Sequence, residues 1–133
     1  MSEHNLDSAW EYAENYYKNP EVIANFKRLA KYRPEVFAGY IDFRKAVFNT
    51  GEDAALSPKH KELIILAIEI ARCKVNPPPV GHARRAVEAG ASMAEIAEVV
   101  SLCIMIGGML TFQDAGRFVL EAAEARHEEL ADE

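Results

Sequence analysis

The fold is decided by residues 62–108, which read ELIILAIEIARCKVNPPPVGHARRAVEAGASMAEIAEVVSLCIMIGG. The first part of this stretch is apolar on nearly all sides of a helix, a pattern typical of a buried helix. It nevertheless contains Glu69, and a buried carboxylate must find a partner or take up a proton. His82 follows after a short break. The stretch therefore predicts an acid and an imidazole in apolar surroundings, which is what proton-transfer chemistry requires.

Helix signals continue on both sides of this stretch, and no convincing strand pattern occurs. Helix starts are predicted at prolines or hydroxyl caps, namely Pro20, Pro34, Ser57-Pro58, the run Pro77-Pro78-Pro79 and Ser92. Gly107-Gly108 is expected to interrupt the most apolar helix. In the helix after Pro34, the side chains of Phe37, Tyr40, Phe43 and Phe48 are expected in the core. These patterns predict an all-α fold, a helical bundle of five to six helices.

Length and composition bound the class of protein. The chain has 133 residues, half of them apolar, which predicts one domain spanning residues 1–133. A net charge of −6 argues against nucleic acid or a membrane surface as partner. No basic leader opens the sequence, and no apolar run approaches the roughly 18 residues that span a bilayer. With only Cys73 and Cys103, both in apolar surroundings, a cytoplasmic protein with reduced thiols is expected.

For so small an all-α domain, two helices that are apolar on most sides are an unusually large number. A single copy has too little surface to cover both faces of each helix. The sequence therefore predicts a homo-oligomer with a large apolar interface.

Helical spacing groups the candidate site residues. Glu62 and Glu69 are seven positions apart and project from the same face, with Cys73 one turn further along. If the two helices pack antiparallel, His82 can face the Glu69 end. Because the positive end of a helix disfavours a protonated imidazole, His82 is expected to be a neutral base.

Each of these candidate residues also has a purely structural interpretation. Glu69 could be an ion-pair partner, and His82 a packing or capping residue. Cys73 and Cys103 could be core cysteines. Gly107-Gly108 could be a kink or a close helix contact.

The order of several motifs resembles the carboxymuconolactone decarboxylase family, which includes the alkylhydroperoxidase D-like proteins. The matching runs are KELIILA from Lys61, HARRAVEAGAS from His82, EIAEV from Glu95, and Gly107-Gly108. The resemblance covers residues 56–125 as a family-like core, on which helices within residues 1–50 would pack. It implies an all-helical fold that assembles as a homotrimer or homohexamer.

The resemblance also implies two branches of activity. The peroxidase branch has a Cys-x-x-Cys pair followed by the histidine, but here the two cysteine positions hold Val75 and Pro78. Without paired thiols the disulfide cycle cannot close within the site. The decarboxylase branch lacks the pair and acts on a small carboxylated lactone.

We therefore expect a lyase or isomerase that needs no cofactor or metal and acts on a small carboxylated ring or lactone. The predicted catalytic residues are His82, Glu62 and Glu69. The predicted substrate-binding residues are Arg72, Arg85, Cys73, Gly107 and Gly108, with either arginine holding a carboxylate. Two alternatives stay open: a thiol peroxidase that uses Cys73, and a non-catalytic oligomer that binds a ligand.

Overall fold

The computed structural model describes residues 3–48, 51–73 and 79–133, and these are all-helical, as predicted. The helices are α1 (Glu3–Tyr16), α2 (Pro20–Tyr32), α3 (Pro34–Val47), α4 (Pro58–Ala71), α5 (Val80–Glu88), α6 (Met93–Gly107), α7 (Met109–Thr111) and α8 (Arg117–Ala131). A π-helical turn, Phe112–Gly116, lies between α7 and α8. Seven of these described helices have nine or more residues, slightly more than the predicted five to six, and α2 and α3 begin at Pro20 and Pro34 as predicted.

Contacts divide the chain into two compact units, Met1–Gly51 and Glu52–Glu133. In the first unit, α1 and α2 both pack on α3. Its core is built from Ala9, Ala13, Phe37, Ala38 and Ile41. The prediction for the aromatic face of α3 holds for Phe37, which is fully buried, but is wrong for Tyr40 and Phe43, which are 39% and 66% exposed.

The first unit also buries a cation. Arg44 is 8% exposed, and its guanidinium lies 4.1 Å from the ring centre of Tyr16 and 4.2 Å from that of Phe48. Such cation–π contacts stabilise a desolvated guanidinium. The pKa of Tyr17, which also faces Arg44, is raised by burial and by its hydrogen bond with Tyr40.

The second unit contains the larger hydrophobic core. Helix α5 packs on α4 and α8, and α4 also packs on α6. The buried aliphatic residues of this core include Leu66, Ile70, Ile96, Val100 and Val119. Burying one such side chain contributes about 1.5–3 kcal/mol. Ala83, Ala86 and Val87 of α5 belong to the same cluster as Leu66 and Ile70 of α4, so the cluster holds α4 and α5 together.

Local capping explains where the helices of the second unit begin. Ser57 Oγ accepts a hydrogen bond from the His60 backbone N–H at 3.2 Å, which starts α4. Ser92 and Glu95 form the predicted capping box at the start of α6, with both hydrogen bonds 3.1 Å long. Glu95 also pairs with Lys59 at 3.1 Å, which ties α6 to α4.

The predicted start of α5 needs a correction. The helix begins at Val80 with Pro79 as its N-cap, so no run of three prolines forms its first turn. Pro77, Pro78 and the predicted break before them lie outside the described residues. His82 consequently lies in the first turn of α5 and not in the second. The proline ring at 79 fits because a residue at the cap needs no N–H donor.

The glycine pair does end α6, as predicted. Gly108 has φ +85° and ψ 173°, a backbone conformation that is essentially restricted to glycine. A Cβ on Gly107 would overlap the hydroxyl of Thr111, so a larger residue here would have to displace that buried side chain. None of the described helices is long and apolar enough to cross a membrane.

Candidate functional site

Three predicted residues meet at the packed faces of α4 and α5. Glu62 and Glu69 lie two turns apart on α4, and His82 reaches them from the first turn of α5. The side chain of Glu62 is 5% exposed, that of Glu69 15%, and that of His82 16%. The structure therefore brings the acids and the imidazole together in largely dry surroundings.

The two nitrogens of the His82 ring face different carboxylates. Nδ1 lies 2.6 Å from Glu62 Oε2, within the range of a charge-assisted hydrogen bond. Nε2 lies 3.5 Å from Glu69 Oε1, which is longer than an ordinary hydrogen bond. The ring is thus held firmly at one nitrogen and loosely at the other.

These distances define where protons must lie. A carboxylate only accepts, so the 2.6 Å contact requires a proton between Nδ1 and Glu62. With Nδ1–H in place, a neutral ring presents the lone pair of Nε2 towards Glu69. That lone pair and a Glu69 carboxylate repel each other unless a further proton, a water or a ligand atom lies between them. Nε2 is therefore the nitrogen that can exchange a proton.

Arg85 joins this cluster from the next turn of α5. Its Nη2 lies 3.3 Å from His82 Nδ1, and its Nε lies 3.6 Å from Glu62 Oε1. Counting both carboxylates as ionised and the ring as neutral, the four groups carry a formal charge of −1. Arg85 therefore offsets one of the two buried acids.

The other predicted substrate-binding residues have different contact partners from these four. Arg72 is exposed at the C-cap of α4, and Cys73 follows it with φ 48° and a half-buried side chain. Gly107 and Gly108 are exposed at the break between α6 and α7. In the described part of the chain, no hydrogen bond or ion pair joins Arg72, Cys73 or either glycine to His82.

Thr111 is a neighbour that sequence reasoning missed. Its side chain is 2% exposed, and its Oγ1 lies 4.0 Å from the Cys73 sulfur. A threonine three residues after a glycine pair carries no pattern that would have indicated this contact. It connects α7 to the end of α4 that bears Glu69 and Cys73.

The second thiol lies in the core. Cys103 is 6% exposed, and its Sγ lies 3.6 Å from the carbonyl oxygen of Ala67. Burial raises the pKa of the Cys103 thiol. At neutral pH the group therefore behaves as a small apolar side chain and not as a nucleophile.

Among the described residues, neither a metal-binding cluster nor the groove of the first unit involves the predicted site residues. Within residues 3–48, 51–73 and 79–133, no group of three or more His, Cys, Asp or Glu side chains is arranged to hold a metal ion. An open groove of about 320 Å³ lies in the first unit, beside Tyr17, Asn19 and Lys27. It contains none of the predicted site residues, so the chemistry is assigned to the His82 cluster.

Comparisons with known proteins give the family background. Residues 34–122 match the model of the carboxymuconolactone decarboxylase family, a longer match than the resemblance read from residues 56–125. The fold is similar to that of a crystal structure from Burkholderia xenovorans LB400, a protein that carries the name carboxymuconolactone decarboxylase provisionally. The TM-score is 0.81 and the sequence identity 30%, over 99% of this chain and 98% of that one. No curated protein is detectably similar in sequence.

Proposed function

The chain belongs to the carboxymuconolactone decarboxylase family, and on this premise we propose that it is a cofactor-free lyase or isomerase. Its substrate would be a small carboxylated ring or lactone with an acidic carbon. The observation that carries the proposal is His82 lying between Glu62 and Glu69, at 2.6 Å and 3.5 Å. An imidazole flanked by two carboxylates is suited to general acid–base catalysis.

His82 is the proton carrier in this proposal. Glu62 accepts the hydrogen bond from Nδ1 and so leaves Nε2 as the nitrogen that meets the substrate. Glu62 is largely buried, and its carboxylate also stabilises the imidazolium that forms when Nε2 takes up a proton. Its role resembles that of the acid that orients a catalytic histidine in hydrolases.

Glu69 supplies a second place for the proton. Its Oε1 lies on the same side of the ring as Nε2, and the 3.5 Å gap is loose enough for a substrate atom or a water to enter. A proton taken from a carbon by Nε2 can therefore pass to Glu69 or return to a neighbouring carbon. Both groups act from one face of the substrate.

Either reaction type balances with these groups. In an isomerisation, Nε2 removes a proton from the acidic carbon, the C–H electron pair moves into the adjacent carbonyl as an enolate, and the same proton is delivered to another carbon. In a decarboxylation, the C–C bond to the carboxylate breaks, carbon dioxide leaves, and the electron pair left on the carbon forms the enolate. A protonated His82 then gives its Nε2 proton to that carbon.

Arg72 is the residue proposed to attract the substrate carboxylate. It is exposed at the end of α4, one turn beyond Glu69, and a guanidinium binds carboxylates in a bidentate manner. Cys73 and Thr111 would contact the apolar part of the substrate from the same end. Gly107 and Gly108 would act by setting the position of Thr111.

Self-association belongs to the same proposal. Large apolar side chains at the end of α6 and in α7 are between 58% and 81% exposed in the single chain, namely Leu102, Met105, Ile106, Met109 and Leu110. A patch of this kind marks an interaction surface. We propose that it is covered by other copies of the chain, in a homotrimer or a homohexamer.

The test is a substrate screen followed by substitution. A panel of small carboxylated lactones is incubated with the protein, and loss of substrate and release of carbon dioxide are measured. His82→Gln is expected to lower turnover of any substrate found by about 10²–10⁴-fold. Glu69→Gln is expected to lower turnover while leaving stability near that of the wild type, because its contact with the ring is loose.

His60→Gln is the matched control, because His60 is exposed at the start of α4. Its turnover should equal that of the wild type. Turnover that survives in His82→Gln would contradict the proposed mechanism. Absence of turnover throughout the panel, combined with a ligand that raises the melting temperature, would favour the non-catalytic alternative.

A further inference from the structure

The guanidinium of Arg85 lies inside the His82 cluster, although the proposed proton transfer gives it no direct part. Nη2 lies 3.3 Å from His82 Nδ1, and Nε lies 3.6 Å from Glu62 Oε1. The side chain is 17% exposed, so solvent screens these charges only weakly. A cation held this close opposes a second proton on the imidazole.

Glu62 and Arg85 compete for one ring nitrogen. A guanidinium carries only donors, so Arg85 could bond Nδ1 only if that nitrogen had no proton. The carboxylate of Glu62 accepts from Nδ1 only if the proton is present. The shorter distance, 2.6 Å against 3.3 Å, favours Nδ1–H donating to Glu62. Arg85 is therefore attracted to Glu62, and it influences the protonation of the His82 ring through that carboxylate.

Gly81 provides the space in which Arg85 lies. It is four residues before Arg85 on α5, and a Cβ built on it would be 3.3 Å from Nη2 and 3.4 Å from Nη1. The guanidinium is the end of a flexible side chain, so it can move away from an added methyl group. An alanine at 81 would therefore shift the Arg85 guanidinium slightly without removing its charge.

We propose that Arg85 is a positioning residue for His82 and that Gly81 keeps its place open. Arg85 shares the carboxylate of Glu62 with the imidazole. Glu62 can then hold Nδ1–H in place without drawing a second proton onto Nε2. The catalytic value of this arrangement rests on the proposed function, since a base must have a free lone pair. The effect of Arg85 on the protonation of His82 does not depend on that function.

The charges around the ring come from two helices. Glu62 and Glu69 face it from α4, and Arg85 faces it from α5 itself. The charged residues of α8 that meet α5 form ion pairs away from the His82 ring. Two of these pairs join α5 to α8, Arg84–Glu129 and Arg126–Glu88, and one lies within α8, Arg126–Glu129. Removing Arg85 therefore removes the cation nearest to His82 among the described groups.

The experiment reads the protonation state of His82 directly. Nitrogen-15 NMR of the histidine rings at one pH near neutrality distinguishes the imidazolium from the two neutral tautomers, and His82→Gln assigns the signals. Arg85→Gln is expected to raise the ratio of imidazolium to neutral ring at His82 about tenfold. Arg85→Lys keeps the charge and should stay close to the wild-type ratio.

Arg84→Gln is the matched control, because Arg84 is adjacent in sequence but pairs with Glu129. An unchanged ratio in Arg85→Gln would overturn the proposal, as would an equal change in Arg84→Gln. Gly81→Ala should change the ratio in the same direction as Arg85→Gln but by less, because a Cβ 3.3 Å from Nη2 shifts the guanidinium only slightly. An unchanged ratio there would overturn the part assigned to Gly81. These readouts need no turnover, so an inactive wild type would disprove the proposed function and leave this inference standing.

Discussion

Nδ1 of His82 on α5 lies 2.6 Å from Oε2 of Glu62 on α4, and the Glu62 side chain is 5% exposed. One contact therefore does two things. It satisfies a carboxylate that packing has taken out of water, and it orients the imidazole of the candidate site. Stability and chemistry are coupled at this point, so substitutions here should change both.

Glu62→Ala is expected to lower the free energy of unfolding by about 3–5 kcal/mol, because it leaves the charge of Arg85 and the N–H of His82 without their shared acceptor. Glu62→Gln should cost less, since its amide oxygen still accepts from Nδ1. Urea denaturation followed by circular dichroism measures both. Glu98→Ala, at an exposed position of α6, is the control, and equal losses in Glu62→Ala and Glu98→Ala would contradict the expectation.

The Cys103 thiol should be less reactive than that of an unfolded cysteine. Burial raises the pKa of Cys103, so its thiolate fraction at a given pH is lower than that of a free thiol. Alkylation of Cys103 by iodoacetamide should therefore be slow at neutral pH and accelerate only above the ordinary value of about 8.5. Intact-mass spectrometry of Cys73→Ser follows this thiol alone, with the urea-unfolded chain as reference. Fast alkylation of the folded protein at pH 7 would contradict it.

Cys73 decides between the proposed function and its peroxidase alternative. Cys73→Ser is expected to leave kcat for the lactone within about threefold of the wild type, because no proton step uses the sulfur, and to change mainly KM through its proposed contact with the substrate. The same variant is assayed for consumption of an organic hydroperoxide with a dithiol reductant. Peroxidase activity in the wild type that disappears in Cys73→Ser would establish the alternative.

Gly108→Ala is expected to destabilise the protein by about 1–3 kcal/mol, because φ +85° with ψ 173° is open essentially to glycine alone. Gly39→Ala on α3 is the control. A Cβ there would meet nothing within 4 Å, and alanine favours a helix, so Gly39→Ala should be neutral or stabilising. Thermal unfolding measures both. A Gly108→Ala variant as stable as the wild type would show that the break after α6 tolerates a side chain.

Ile106→Lys tests the proposed self-association. The wild type is expected to have a mass by light scattering of three or six times the 14.8 kDa chain. A lysine at this position, which is 81% exposed in the single chain, should shift the mass towards one chain by placing charge in an apolar interface. Glu124→Lys on the exposed face of α8 should leave the mass unchanged. A wild-type mass of one chain would refute the proposal.

Local patterns in the sequence predicted the helical class and, for antiparallel packing, that His82 would face the Glu69 end of α4. The shorter contact in the structure is with Glu62, at 2.6 Å against 3.5 Å for Glu69. Proline and hydroxyl caps fix where helices start, and seven-residue spacing places Glu62 and Glu69 on one face of α4. The apolar surroundings of both helices then force them together. These signals need no knowledge of side-chain rotamers.

What the sequence did not predict depends on three-dimensional detail. The turn of Arg85 into the cluster requires the space over Gly81, which no helical periodicity reveals. The contact of Thr111 with Cys73 depends on the angle at the glycine pair. Phe43 was expected in the core but is exposed, because an aromatic pattern indicates an apolar face without saying what covers it.

The π-helical turn at Phe112–Gly116 sets the rotation of everything after it. Such a turn holds one residue more per hydrogen-bonded ring than an α-helix, and one residue corresponds to about 100° of rotation. The face of α8 that buries Val119, Ala122 and Ala123 is therefore aligned with the core only while that surplus residue is present. Deleting one residue between 112 and 116 would swing this face towards solvent, so chain length in this turn is as constrained as residue identity.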